Sequence, residues 1–285
     1  MDDAFSSLVD TDWLADNLGD PNLAIVDASR HLPAANRDAR AEFEKAHISG
    51  ARFLDLYSLT DTASQVPSAL PTCAQIAGRL GELGIRAGQR IILYDDSDTK
   101  TSARAWFALT CCGVENVAIL NGGFAKWRDE SRPVKTGEQT CAAASPLALH
   151  EGGRVVTKQT VFEVATANDA LAQIIDARSA DRVFGTGIDP VHGGQNGRIP
   201  GSLSVPFGQV FNPDGTYKSA DALRCVFSDA GIDLQKPIIT SCGSGVTASV
   251  LLFALHLIGL DDAQLYDGSW QEWSADPATP KVQGP

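Results

Sequence analysis

Much of the second half of this chain repeats the first. Ile91-Ile92-Leu93-Tyr94-Asp95-Asp96 lies against Pro237-Ile238-Ile239-Thr240-Ser241-Cys242 at an offset of 146 (237 − 91). The offset runs without a gap to Trp127 and Trp273. It pairs Thr101 with Thr247, Phe107-Ala108-Leu109 with Phe253-Ala254-Leu255, Gly113 with Gly259 and Gly122 with Gly268. Earlier stretches match with small insertions: Leu23–Ala28 answers Ala172–Ala177, and His47-Ile48-Ser49-Gly50-Ala51 answers Arg198-Ile199-Pro200-Gly201-Ser202. Such agreement across strand-like, loop-like and helix-like stretches marks a duplication. The 285 residues are therefore expected to form two domains of one architecture, not a single large core. The expected domains are 1–135 and 156–285. Residues 136–155 read as a linker, because Pro146 and Gly152-Gly153 stand in a polar, alanine-rich background.

Within each half, short apolar runs alternate with helical stretches. Strands are expected at 23–27, 91–94, 117–120, 172–176, 237–240 and 263–266, and helices near 72–83, 102–112, 219–230 and 247–258. Continuous apolar strands alternating with helices predict an α/β fold, each domain a parallel sheet flanked by helices. Ligands of such sheets bind beyond the carboxyl ends of the strands. Cys242 falls there.

The loop Cys242-Gly243-Ser244-Gly245-Val246-Thr247 joins an apolar strand to an apolar helix. Its glycines let the backbone curl, so the amides of 243–247 are expected to face a common centre beside the positive end of the helix dipole. Such a setting favours a thiolate over a thiol, and equally favours the negative outer sulfur of a persulfide. No metal or cofactor is needed, and five scattered histidines without a ligand spacing suggest no metal site. Thr247 is expected to cap the helix or to donate its hydroxyl to the bound anion. The first half has Asp96 in the place of Cys242, and a carboxylate cannot carry sulfur, so only the second half is expected to be active. The other cysteines, 73, 111, 112, 141 and 225, form no CxxC pair and read as small buried hydrophobes.

A formal net charge of −12 argues against nucleic acid or an anionic membrane as partner. An anionic substrate must then be captured by a local positive site. Apolar runs such as Val250–Leu255 fall short of the roughly 18–20 residues of a membrane span. The acidic start Met1-Asp2-Asp3 is unlike a signal peptide, so a cytoplasmic location is expected.

The Cys242–Thr247 loop followed by Ala248, with the ending Gly268-Ser269-Trp270-Gln271-Glu272-Trp273-Ser274-Ala275-Asp276-Pro277, resembles the rhodanese superfamily. The resemblance covers nearly the whole chain and is to the tandem-domain 3-mercaptopyruvate sulfurtransferases in particular. It implies two rhodanese-like domains, the first inactive and the second bearing the nucleophile Cys242, with Ser244 and Thr247 assisting. It further implies that Gly243, Gly245 and Val246 cradle the substrate and that Arg182 binds the small anionic sulfur donor. The implied donor is 3-mercaptopyruvate, and the implied acceptor is a thiol, a thioredoxin-like protein or cyanide. Gly243-Ser244 replaces the basic pair of thiosulfate-specific members, which leaves thiosulfate as the alternative donor. A non-catalytic persulfide carrier is the alternative from another class. Two departures stand out. Gly187–Val191 lacks the family's second arginine, and Tyr57 and Ser68 occupy the positions of a relay aspartate and histidine, with Asp55 and Asp61 nearby. Arg178 is expected to pair with Asp176, and His47 and Arg198 to be structural. A phosphatase of related fold is excluded, because residue 248 is Ala where the phosphate-clamping arginine belongs.

Overall fold

The apolar runs form buried strands that pair in parallel within each half. The computed structural model describes residues 5–167, 171–192 and 194–284; the acidic start Met1–Asp3 lies outside them. In the first half, β1 (Leu8–Val9), α1 (Thr11–Asp16), β2 (Leu23–Asp27), α2 (Ala39–Lys45), β3 (His47–Ile48) and β4 (Arg52–Phe53) come first. They are followed by α3 (Cys73–Glu82), β5 (Arg90–Tyr94), α4 (Ser102–Cys111), β6 (Val117–Leu120), α5 (Gly123–Asp129) and β7 (Val134–Lys135). The second half holds β8 (Val155–Val156), α6 (Lys158–Thr166), β9 (Gln173–Asp176), α7 (Ala180–Phe184) and β10 (Leu203–Ser204). Then come α8 (Ala220–Asp229), β11 (Ile238–Ser241), α9 (Val246–Leu257), β12 (Gln264–Tyr266) and α10 (Ser269–Ala275).

The first sheet runs β1-β6-β5-β2-β4 and the second β8-β12-β11-β9-β10, every pairing parallel. Element for element the order is the same. The duplication seen in the sequence is thus a duplication of topology, with flanking helices as expected.

The pairings move one correspondence by a residue. Leu93 faces Ile119 as Thr240 faces Leu265, and the Ala28 amide bonds the Tyr94 carbonyl as the Ala177 amide bonds that of Ser241. Strand β11 therefore answers β5 at an offset of 147, which also sets Ile91-Ile92 on Ile238-Ile239. The helices α4 and α9 keep 146, so the first loop is one residue longer. Asp95, and not Asp96, occupies the backbone position of Cys242. The Phe124 amide bonds its carbonyl as the Trp270 amide bonds that of Cys242.

The chain divides into one compact unit of residues 1–60, 70–152 and 213–217, and a second of 61–69, 153–212 and 218–285. The stretch expected as linker is bonded along the first unit. The amides of Gly137, Ala144, His150 and Gly152 donate to the carbonyls of Glu44, Gly81, Cys112 and Cys111.

Local chemistry accounts for the helix starts. Thr72 and Gln75 form a reciprocal capping box before α3, and Thr157 and Ser219 cap α6 and α8. Helix α9 is apolar on all sides, and every residue from Ala248 to Leu255 is buried, as a helix without a polar face must be.

The cysteine reading needs correction. Cys73 and Cys112 form a disulfide between the start of α3 and the end of α4, while Cys141 and Cys225 are exposed. Among the described residues no helix is long and apolar enough to cross a membrane, and no His/Cys/Asp/Glu group has a metal-holding arrangement.

Candidate active site

Cys242 follows the last residue of β11 and is 1% exposed. Gly245, in the left-handed region at φ 77°, turns the chain into α9, a conformation that strains any residue with a Cβ. No side chain caps this helix end. Helical geometry leaves its first amides, from Val246 onward, without intrahelical acceptors. A 12-residue helix thus presents its uncapped positive end next to a buried thiol.

The loop is held from the neighbouring turn by a residue that sequence reasoning passed over. Ser269 Oγ accepts the amides of Cys242 and Gly245, each at 3.1 Å, and donates to the Tyr266 carbonyl at 2.9 Å. These two amides anchor the loop, so the expected ring of inward dipoles is smaller than five; Gly245 belongs to the anchor. Trp270 and Gln271 amides bond the carbonyls of Cys242 and Gly243. Ser269 sits inside the repeated Gly268–Trp273 segment, but the first half has Gly123 at that position, so the repeat does not single it out. Its φ of 50° marks a position held by this network.

Thr247 does not cap α9: the capping position belongs to Gly245, and Thr247 is the second helical residue. Ser244 and Thr247 are half-buried, and their hydroxyls make no hydrogen bond among the described residues. Both remain available to a bound group. The first unit shows the contrast. There Thr101 donates to the Ala28 carbonyl at 2.7 Å and accepts the Arg30 amide at 3.1 Å. The Asp95 carboxylate accepts the amides of Ser97 and Ser102 at 2.8 and 2.9 Å. That loop supplies its own anion.

Arg182, on α7, reaches the loop through His192. Its Nε and Nη2 grip Asp189 at 3.1 and 2.7 Å, and Nη2 also donates to His192 Nδ1 at 3.1 Å. Acceptance at Nδ1 places the ring proton on Nε2. The His192 ring lies over Gly243, where an added Cβ would come within 2.7 Å of Nδ1 and 3.0 Å of Nε2. A side chain at 243 would have to displace that ring, while the backbone angle there makes no demand for glycine. The Nη1 of Arg182 makes no hydrogen bond among the described residues.

Behind this lies a fully buried frame. Arg178 forms a two-pronged pair with Asp176, donates to the Gly197 carbonyl at 2.6 Å and stacks on Trp270 at 4.7 Å. Its Nη1 comes 3.6 Å from Asp189, which thereby joins both arginines. Burial pushes the Asp189 carboxyl up, but the Arg182 guanidinium and the Val191 amide outweigh it and hold it well below the usual carboxylate range. Sequence reading met Asp189 only within the stretch lacking an arginine, and His192 only as one of five scattered histidines. Tyr57, which stands at the relay aspartate's position, gives its hydroxyl to the His31 carbonyl and lies under Arg30.

The chain matches the family model described as rhodanese-like domain twice, over residues 10–130 and 163–276. It is 36% identical over 275 residues to 3-mercaptopyruvate sulfurtransferase of Mus musculus, covering 94% of this chain and 92% of the relative. It is 35% identical over 289 residues to thiosulfate sulfurtransferase of Rattus norvegicus, covering 98% and 96%. Among solved structures, SseA from Escherichia coli superposes with a TM-score of 0.84 at 36% identity, covering 93% of this chain and 99% of that one.

Proposed function

This chain belongs to the rhodanese-like family and is a sulfurtransferase, and we propose that it moves sulfane sulfur from 3-mercaptopyruvate through a persulfide on Cys242. One observation carries the reading: a buried cysteine borders an uncapped helix start, with the His192 ring packed on its loop and Arg182 bonded to that ring. The Cys242 thiolate attacks the donor sulfur, forming the S–S bond as the C–S bond breaks. The electron pair goes to carbon 3, which takes up the proton released by the donor thiol, and pyruvate leaves. An acceptor thiolate, from a small molecule or a thioredoxin-like protein, or cyanide, then attacks the outer sulfur and returns Cys242 as thiolate.

In this account Arg182 Nη1 and His192 Nε2–H hold the donor carboxylate and carbonyl, His192 standing in for the absent second arginine. Gly243, Ser244, Val246 and Thr247 surround the outer sulfur. Cys242 is the nucleophile, and the half comprising 156–285 is the catalytic one. The reading keeps the enzyme in the cytoplasm, where thiol acceptors abound and the Cys73–Cys112 pair meets a reducing pool.

Thiosulfate is the second reading, supported by the likeness to the rat enzyme. The flat carboxylate and adjoining carbonyl of 3-mercaptopyruvate suit a guanidinium and an imidazole donor better than a tetrahedral dianion does. Steady-state kinetics with each donor decides. A kcat/KM at least about tenfold higher for 3-mercaptopyruvate, about 1.4 kcal/mol of differential stabilisation, is expected. A ratio favouring thiosulfate overturns the donor assignment.

A further inference from the structure

The first unit contains a cavity of about 220 Å³ lined by Asp27, Ser29, Ala46 and Phe124, with Arg37 and Arg128 also on its wall. The duplication explains what this space is. Asp27 answers Asp176, since each ends a central strand and each has its carbonyl bonded by the next strand's continuation, Leu54 and Val205. Ser29 then answers Arg178. Ala46 answers Gly197 in the matched turns, and Phe124 answers Trp270 through the shared bond to Asp95 and Cys242. In the second unit Arg178 is held by the Asp176 carboxylate, the Gly197 carbonyl and the Trp270 ring, with Asp189 at 3.6 Å. The counterparts of the first three border the first unit's cavity, and the side chain they would hold has been cut back to a serine.

We propose that this cavity is a binding site for a guanidinium group, presented by a small guanidino compound or by an arginine side chain. The carboxylate, the turn and the ring supply the recognition that a guanidinium already receives in the duplicate unit. A planar cation there would gain a two-pronged pair to Asp27 beside the Phe124 ring, over which the Arg128 guanidinium already lies.

The other charged groups on the wall, Arg37, Glu42, Asp96 and Arg128, pair with one another. Arg37 donates to both carboxylate oxygens of Glu42 and to Asp96, and Arg128 donates to Asp96 and lies 5.0 Å from the Phe124 ring centre. Lys45 is exposed, so its charge is screened by solvent. Asp27 is 4% exposed and meets no cation among the described residues; its carboxylate accepts the Ser29 amide at 2.8 Å. Burial pushes the Asp27 carboxyl up to about 7, against hydrogen bonds from Ser29 and the Tyr94 hydroxyl.

The test reads binding and not turnover, so it stands apart from the sulfur chemistry. The full chain, labelled with nitrogen-15, is titrated at constant ionic strength with N-ethylguanidinium, with Nα-acetyl-arginine amide, and with n-propylammonium. Saturable amide shifts at Ser29 and Ala46 are expected for a guanidinium, at least about tenfold tighter than for the alkylammonium, which lacks the planar fork. Equal or tighter binding of the capped arginine points to a peptide side chain, and binding of N-ethylguanidinium alone points to a small compound. Ser29→Arg should abolish the shifts by filling the site from within, and Asp27→Asn should weaken binding at least about tenfold. No saturable shift for either guanidinium, or unchanged affinity in a folded Asp27→Asn, overturns the proposal.

Discussion

Gly243 sits where the His192 ring leaves no room for a side chain. Gly243→Ala forces that ring off its seat beside Arg182, and overpacking of this kind costs about 1–3 kcal/mol. The variant is expected to unfold at lower denaturant, and Gly243→Ala combined with His192→Ala to regain most of that loss. Equal midpoints for the single and double variants would remove the ring as the obstacle. Asp27 gives a pH signature. Its folded-state value of about 7 lies above the ordinary 3.8, so the folded protein holds a proton that the unfolded chain releases. The resulting stability is complete below about pH 4 and is lost as pH rises through 7. Between pH 5 and 8 the wild type should lose up to about 3 kcal/mol relative to Asp27→Asn, on 1.36 kcal/mol per unit. Denaturation curves at several pH values check this; parallel pH dependences would contradict it.

At the level of elements, the strand–loop–helix unit was legible because composition and position coincide there. An apolar strand, two glycines and an apolar helix can be arranged in few ways. The anchoring by Ser269 was not legible, because it depends on a hydroxyl in the next turn meeting two amides 24 and 27 residues away. The disulfide was hidden for the same reason: Cys73 and Cys112 meet only after α3 and α4 pack. Their separation of 39 residues puts its contribution at about 2–4 kcal/mol through the unfolded chain. Cys73→Ser with Cys112→Ser should lower the first unit's unfolding free energy by that amount and leave turnover at 25 °C little changed. An equal loss of turnover in the folded variant would show that the link serves catalysis.

Across the whole molecule, the repeat made the two-sheet plan readable and located the first unit's counterpart of the Cys242 loop. Its one error was a register of one residue: the alignment fixed on the helix, and a gap in a polar loop leaves no mark in a periodic pattern. The repeat also shows how the two units diverged. One loop closes on its own Asp95 carboxylate, while the other keeps an open helix end beside Cys242. Conversely, the second unit holds an internal guanidinium where the first holds a cavity. The central claim, that sulfur resides on Cys242 during transfer, is tested most directly by intact-mass and peptide mass spectrometry after exposure to 3-mercaptopyruvate without acceptor. A gain of one sulfur atom confined to the peptide bearing Cys242, absent in Cys242→Ser and removed by cyanide, is the predicted result. An unmodified Cys242, or the added sulfur on Cys111, Cys141 or Cys225, would contradict it.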